Sequence, residues 1–262
     1  MCVNAISVWR NVAKVWLVVL CLVVLTSCSS VNHMKTLRMF PSPNFNERKY
    51  PVSVLVLHYT AILTCEESLV RLCDATNEAG RVSAHYLVDR DGSIYNLVDE
   101  SKRAWHAGVG SWAGMNAIND CSIGIEIVNA GLTADGKREP FPDAQIDAVI
   151  KLCKDIQSRY PIKYVLGHSD VAPQRKQDPG EAFPWKKLAK VGIGVWTDNF
   201  AEPKKSVAEM LAGIGYDVSD IDKATIAFQR HWHPEAITDG ATNTAGRVAA
   251  VWQLIRNNRE MK

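Results

Sequence analysis

The segment "VLGHSDVAPQRKQDPG" at 165–180 leaves an apolar run on Gly167-His168, and Lys176 and Asp178 follow within ten residues. An imidazole, an ammonium and a carboxylate just past a buried strand are either a polar loop or part of a metal site that takes a further ligand from elsewhere. Hydrolytic metal centres hold the ion with three protein donors and keep a fourth position for water. The ion brings the pKa of that water from about 16 down to about 7. A base must then move protons, and a cation or donor must meet the oxyanion. His58, His168 and Asp178 are candidates for the donors, Glu126 for the base and Lys176 for the oxyanion. There is no H-E-x-x-H pair, and nothing in the periodicity selects Asp178 over other acids.

Side chains this far apart in sequence meet only if strands and helices carry them to one place. "VSVLVLHYT" (52–60) is a valine-rich apolar run that reads as a buried strand ending near His58. "CSIGIEIVN" (121–129) is a second strand with one acid, Glu126, and "YVLGH" (164–168) a third. "AHYLVDRDGSIYNLV" (84–98) predicts a β-hairpin in which Asp91-Gly92 supplies positive φ angles. Helices are expected over 66–78 and over 143–159, the latter with Asp143 as N-cap. The expected fold class is α/β, a mixed β-sheet flanked by helices. His58 and His168 then sit at strand ends, the edge where open α/β sheets collect ligands. After about residue 200, "FAEPKK" reads as a linker and 204–257 as a small all-α module. Some 55 residues make a marginal core alone, so this module is expected to lean on the main domain.

Five segments, in order, carry a resemblance: "LHYTA" (57–61), "SAHYLVDRDGSIYNLV" (83–98), "AWHAG" (104–108), "SIGIEIVN" (122–129) and "GHSDVAPQRKQDPG" (167–180). Over roughly residues 50–195 the chain resembles the zinc-dependent N-acetylmuramoyl-L-alanine amidases that share a fold with the peptidoglycan recognition proteins. The resemblance implies one Zn2+ held by His58, His168 and Asp178, with Glu126 and Lys176 catalytic. It implies a peptidoglycan or muropeptide substrate in a groove lined by Tyr59 and Thr60. His85, Trp105 and His106 are further candidates for that groove, with core packing as the plain alternative. "AFQRHWHPE" (227–235) and its flanking helices look like the peptidoglycan-binding-like module of the outer-membrane lipoprotein branch. A receptor of the same fold that binds muropeptides without cleaving them is the rival reading, and a stem-peptide peptidase a third.

The N-terminus reads as something other than fold. Arg10 and Lys14 precede the apolar run "VWLVVLCLVVL", and Leu25-Thr26-Ser27-Cys28 follows it. The run is short of the ~20 residues that span a bilayer, and its flanks suit a secretory signal. The sequence L-T-S-C also resembles a lipobox. The expected division is therefore a signal peptide over 1–27, a lipidated Cys28 and tether over 28–50, a catalytic domain over 51–198 and the helical module over 204–257. Ser29 after Cys28 favours the periplasmic side of the bacterial outer membrane, by resemblance to lipoprotein sorting. Beyond the leader the chain carries 28 basic and 28 acidic residues, which gives no electrostatic reason to expect nucleic acid as a partner. Nothing demands an oligomer, and a monomer is expected. If Cys65 and Cys73 share a helix they are ~12 Å apart, too far for a disulfide.

Overall fold

The computed structural model describes residues 37–77 and 80–260. From Arg38 onward the chain forms one compact unit; the other, Met1–Leu37, lies almost wholly outside the described residues. Six strands make one sheet in the order β1 (Leu37–Met39), β5 (Ile94–Asn96), β4 (Tyr86–Val88), β7 (Ser122–Ile127), β3 (Val54–Tyr59) and β8 (Tyr164–Gly167). β4, β7, β3 and β8 run parallel, whereas β5 is antiparallel to β4. The sheet is thus mixed, as expected. β2 (Phe45–Glu47) pairs separately with β6 (Lys102–Ala104).

Strand alternation divides the core in two. Leu55 and Leu57 of β3 and Ile123, Ile125 and Ile127 of β7 face one side. There they pack on Ile146, Val149, Cys153 and Ile156 of α3 (Asp143–Arg159) and Leu188 of α5 (Trp185–Ala189). Val54, Val56 and Leu166 face the other side. They share a core with Met210 and Ile214 of α6 (Val207–Ile214), Phe228 and Trp232 of α7 (Ile221–Trp232), and Val248 and Trp252 of α9 (Thr244–Glu260). The helices after residue 204 therefore share an apolar core with the sheet. Ser206 starts α6 with a reciprocal cap to Glu209, and Asp220 caps α7 through Lys223 N–H. α1 (Cys65–Cys73) places Leu69 and Leu72 over Leu87 and Val128, and two short helices are α2 (Ile118–Cys121) and α8 (Glu235–Thr238).

Several boundaries differ from expectation for local reasons. α1 stops at Cys73, short of 78, because Asp74 turns extended and its carboxylate takes Thr76 N–H and hydroxyl instead. Pro142, not Asp143, is the N-cap of α3, and no side chain caps it. In the β4–β5 hairpin only Gly92 has a positive φ, +84°, and the loop closes from Asp89 to Ser93 rather than across two residues. Residues 37–47, expected as tether, contribute β1 and β2. Ser42 and Asn44 are buried there, bonded to the Leu72, Asp74 and Val82 carbonyls. Such anchoring uses polar groups, so no hydrophobic period announces it. Cys65, Cys73, Cys121 and Cys153 are free thiols.

Candidate metal centre

Parallel register is what assembles the site. Pairing of β3 with β7 sets His58 directly beside Glu126, and pairing with β8 sets Leu57 beside Gly167. His168 is therefore the first residue past β8, where it opens α4 (His168–Val171). All three lie at the carboxyl ends of parallel strands, and the loop after α4 returns Asp178 to them. Ser169 N–H bonds the Asp178 carbonyl at 2.9 Å, which ties that loop back to the strand end.

His58 Nδ1, His168 Nδ1 and Asp178 Oδ2 form a triangle with each side 3.0 Å. All three residues are buried. His168 Nε2 lies 2.9 Å from the Ala107 carbonyl, which can only accept, so Nε2 carries the proton and the neutral ring's lone pair sits on Nδ1. That lone pair points at a carboxylate oxygen, and a divalent cation relieves the apposition. Burial, with His168 second, lowers the His58 pKa to about 4 and leaves the ring neutral at pH 7. Two imidazoles and one carboxylate in this arrangement can hold a metal ion.

A cavity of about 210 Å³ opens beside the triangle, lined by Tyr59, Thr60, Arg71, Glu126, Lys176 and Asp178 among others. Glu126 Oε2 is sealed from solvent and has no hydrogen-bond partner among the described residues. Burial first, and the Asp178 charge second, push the Glu126 pKa well above the ordinary carboxylate value. A carboxyl so placed is suited to accept and return a proton near neutral pH. The half-buried Lys176 adds a cation to the same wall. Tyr59 and Thr60 line the cavity, and the Thr60 hydroxyl also bonds the Ile62 carbonyl at 3.1 Å.

The other groove candidates sit differently. His85 is fully buried, with Nδ1 accepting Gly124 N–H and Nε2 beside Arg48 and the Lys102 carbonyl. Its ring has no free atom for a ligand. Trp105 donates its indole N–H to Asn46, with the Arg81 guanidinium over its ring. His106 touches the cavity, but His58 and Ser122 occupy its two ring nitrogens. A larger apolar cavity of about 480 Å³ lies between β8 and the C-terminal helices, walled by Trp112, Tyr164, Trp232 and Ile255. No acid or imidazole lines it, so the chemistry belongs to the smaller one. Arg71, Asn119 and Ser122 escaped the sequence reading. Only Ser122 left a signal, in the Ser-x-Gly-x-Glu alternation of β7 that marks a small, polar face.

Residues 48–181 match the family model described as N-acetylmuramoyl-L-alanine amidase. The N-acetylmuramoyl-L-alanine amidase AmiD of Escherichia coli is 42% identical over 217 residues, 71% of this chain and 76% of that protein. A solved complex of AmiD with the substrate anhydro-N-acetylmuramic acid-L-Ala-D-gamma-Glu-L-Lys superposes with a TM-score of 0.66. It covers 77% of this chain and 88% of that one at 39% identity. AmpDh3 of Pseudomonas aeruginosa gives a TM-score of 0.67 at 34% identity, over 88% of this chain and 97% of its own. A family model that spans the metal triangle, Glu126 and Lys176, together with full-fold relatives at this identity, places the chain in the N-acetylmuramoyl-L-alanine amidase family.

Proposed function

We propose that the chain is a zinc-dependent amidase that hydrolyses the amide between the lactyl group of N-acetylmuramic acid and L-alanine. The substrate is peptidoglycan or a muropeptide, including its anhydro form. One observation carries this: three lone-pair donors 3.0 Å apart share a cavity wall with an unpartnered, proton-accepting Glu126. Tetrahedral zinc with bonds of ~2.0–2.1 Å sets its ligands roughly 3.3 Å apart, close to the observed triangle. Two nitrogens and one carboxylate oxygen also leave the fourth position open. That all three donors are present favours hydrolysis over a receptor that retains only the groove.

Zinc held by His58, His168 and Asp178 would supply Lewis acidity toward the scissile carbonyl and toward water. Glu126 takes the proton from the attacking water and delivers it to the leaving amine of L-alanine. Lys176, on the same wall, meets the charge that develops on the carbonyl oxygen. Tyr59 and Thr60 border the space in which the muramoyl-peptide lies. Cys28, outside the described residues, is read as the lipidated residue that anchors the enzyme on the periplasmic side of the outer membrane, with 1–27 removed as its signal. A monomer is proposed.

Mass spectrometry of a defined anhydro-muropeptide incubated with the protein tests the activity. Chelator-sensitive release of a peptide beginning at L-alanine is expected. An intact substrate, or cleavage between two amino acids, overturns it.

A further inference from the structure

We infer that His106, locked between Ser122 and His58, is a positioning residue that fixes His58 in the tautomer able to bind metal. The inference rests on the zinc reading above and concerns how this chain prepares the site.

The logic is one of protons that can lie in only one place. The Ser122 hydroxyl donates to the Ile118 carbonyl at 2.5 Å, which uses its only proton. Toward His106 Nε2, 3.1 Å away, Ser122 can only accept, so that nitrogen is an N–H. The neutral ring then has a bare Nδ1, 3.1 Å from His58 Nε2. His58 must donate there, which leaves its own Nδ1 bare and directed at His168 Nδ1 and Asp178 Oδ2. In the opposite tautomer a proton on His58 Nδ1 would stand where the metal belongs.

The neighbouring residue does the same for the second imidazole. Ala107 offers its carbonyl to His168 Nε2 at 2.9 Å. Asn119 Oδ1 accepts both N–H groups of this dipeptide, His106 at 3.2 Å and Ala107 at 2.8 Å. One clamped dipeptide therefore orients both metal histidines. Its seat is written into β7: a Cβ on Gly124 would lie 2.4 Å from His106 Cγ, so only glycine lets the ring rest on the strand. Ser122 and Gly124 share with Glu126 the face of β7 that looks toward His58. Because both ring nitrogens are engaged within the protein, His106 keeps no donor for a muropeptide.

The test compares zinc affinity, by competition with a chromophoric chelator, and the melting of the metal-free protein. His106→Leu removes the acceptor, and zinc binding is expected to weaken ~10–100-fold, the usual cost of losing such an outer partner. His106→Gln restores it, since its amide oxygen can accept from His58 while its NH2 donates to Ser122, and is expected within ~3-fold of wild type. The two metal-free variants should melt together. Wild-type affinity in His106→Leu, or a glutamine variant no better than leucine, overturns the inference. Should neither fold, Ser122→Ala decides: weakened zinc binding at unchanged metal-free melting supports the relay, and unchanged binding refutes it. The unaltered protein is measured first for one equivalent of zinc and for L-alanyl peptide release. Failure there brings down the amidase reading together with the relay, whereas variants matching wild type bring down the relay alone.

Discussion

His58 Nδ1 and His168 Nδ1 face one another at 3.0 Å from residues 110 positions apart, and Asp178 Oδ2 lies 3.0 Å from each. Three acceptors converge and no protein donor lies among them. Metal binding should therefore be a large part of native stability. At a free zinc concentration about 1,000 times Kd, the native state gains about 4 kcal/mol. Asp178→Ala is expected to abolish most of that gain and the amidase activity with it. Chemical denaturation with and without zinc, run on both proteins, measures it directly; an undiminished zinc response in the variant contradicts the assignment of Asp178.

Glu126 separates chemistry from folding. Its folded pKa lies well above the ordinary value of 4.5, chiefly through burial. The unfolded chain thus ionises first as pH rises. The stability this group contributes is whole below the ordinary glutamate pKa and is lost as pH rises through the raised folded one. In metal-free protein, Glu126→Gln should accordingly match wild type near pH 4 and exceed it near pH 8. Turnover should drop ~10²–10⁴-fold with zinc still bound. In the unaltered enzyme, activity should fall as acid protonates Glu126, at a pH above that of a free carboxylate. A variant that turns over normally removes Glu126 from the mechanism.

The strands that carry His58 and Glu126 and lead into His168 were legible because buried parallel strands are apolar runs, against which a single polar residue stands out. The resemblance of five ordered segments then singled out Asp178, which periodicity could not. What stayed illegible depends on polar contacts across the fold. His85 and His106 have the same residue type and similar strand-edge settings, yet one is sealed beneath Arg48 and the other meets His58. Ser42 and Asn44 anchor the supposed tether with hydrogen bonds to carbonyls 30 and 38 residues away. No local pattern records which distant carbonyl a side chain reaches.

Anchoring at Cys28 is testable apart from the chemistry. Among the described residues no helix is long and apolar enough to cross a membrane. Attachment through this cysteine would rest on acyl chains, and two or more are needed for a lasting hold. Fractionation of cells expressing the full chain is expected to place it in outer membranes. Cys28→Ala should move it to inner membranes or to soluble fractions while leaving the purified catalytic activity intact. Equal outer-membrane recovery of both proteins excludes lipidation there.

Asp170 binds the helical module to the metal centre. Its Oδ2 accepts Gly167 N–H at 2.7 Å and meets His231 Nδ1 at 2.6 Å, while Oδ1 accepts the Tyr216 hydroxyl at 2.5 Å. Gly167 immediately precedes His168, whereas His231 lies in α7 and Tyr216 in the turn between α6 and α7. The carboxylate is fully buried, and it satisfies three groups on buried residues. Removing one partner of such a network costs about 3–5 kcal/mol, since the remaining groups stay buried and unpaired. Asp170→Ala should lose about that much in urea denaturation, and zinc affinity should fall as the His168 turn loosens. Deleting residues from 204 onward is the harsher test. It would bare Val54, Val56, Leu166 and Trp112, each now packed in the core shared with α6, α7 and α9. Burial of such side chains is worth about 1.5–3 kcal/mol apiece. The truncated protein should therefore be insoluble or bind hydrophobic dyes. A soluble, fully active fragment would show that the helices do not brace the sheet.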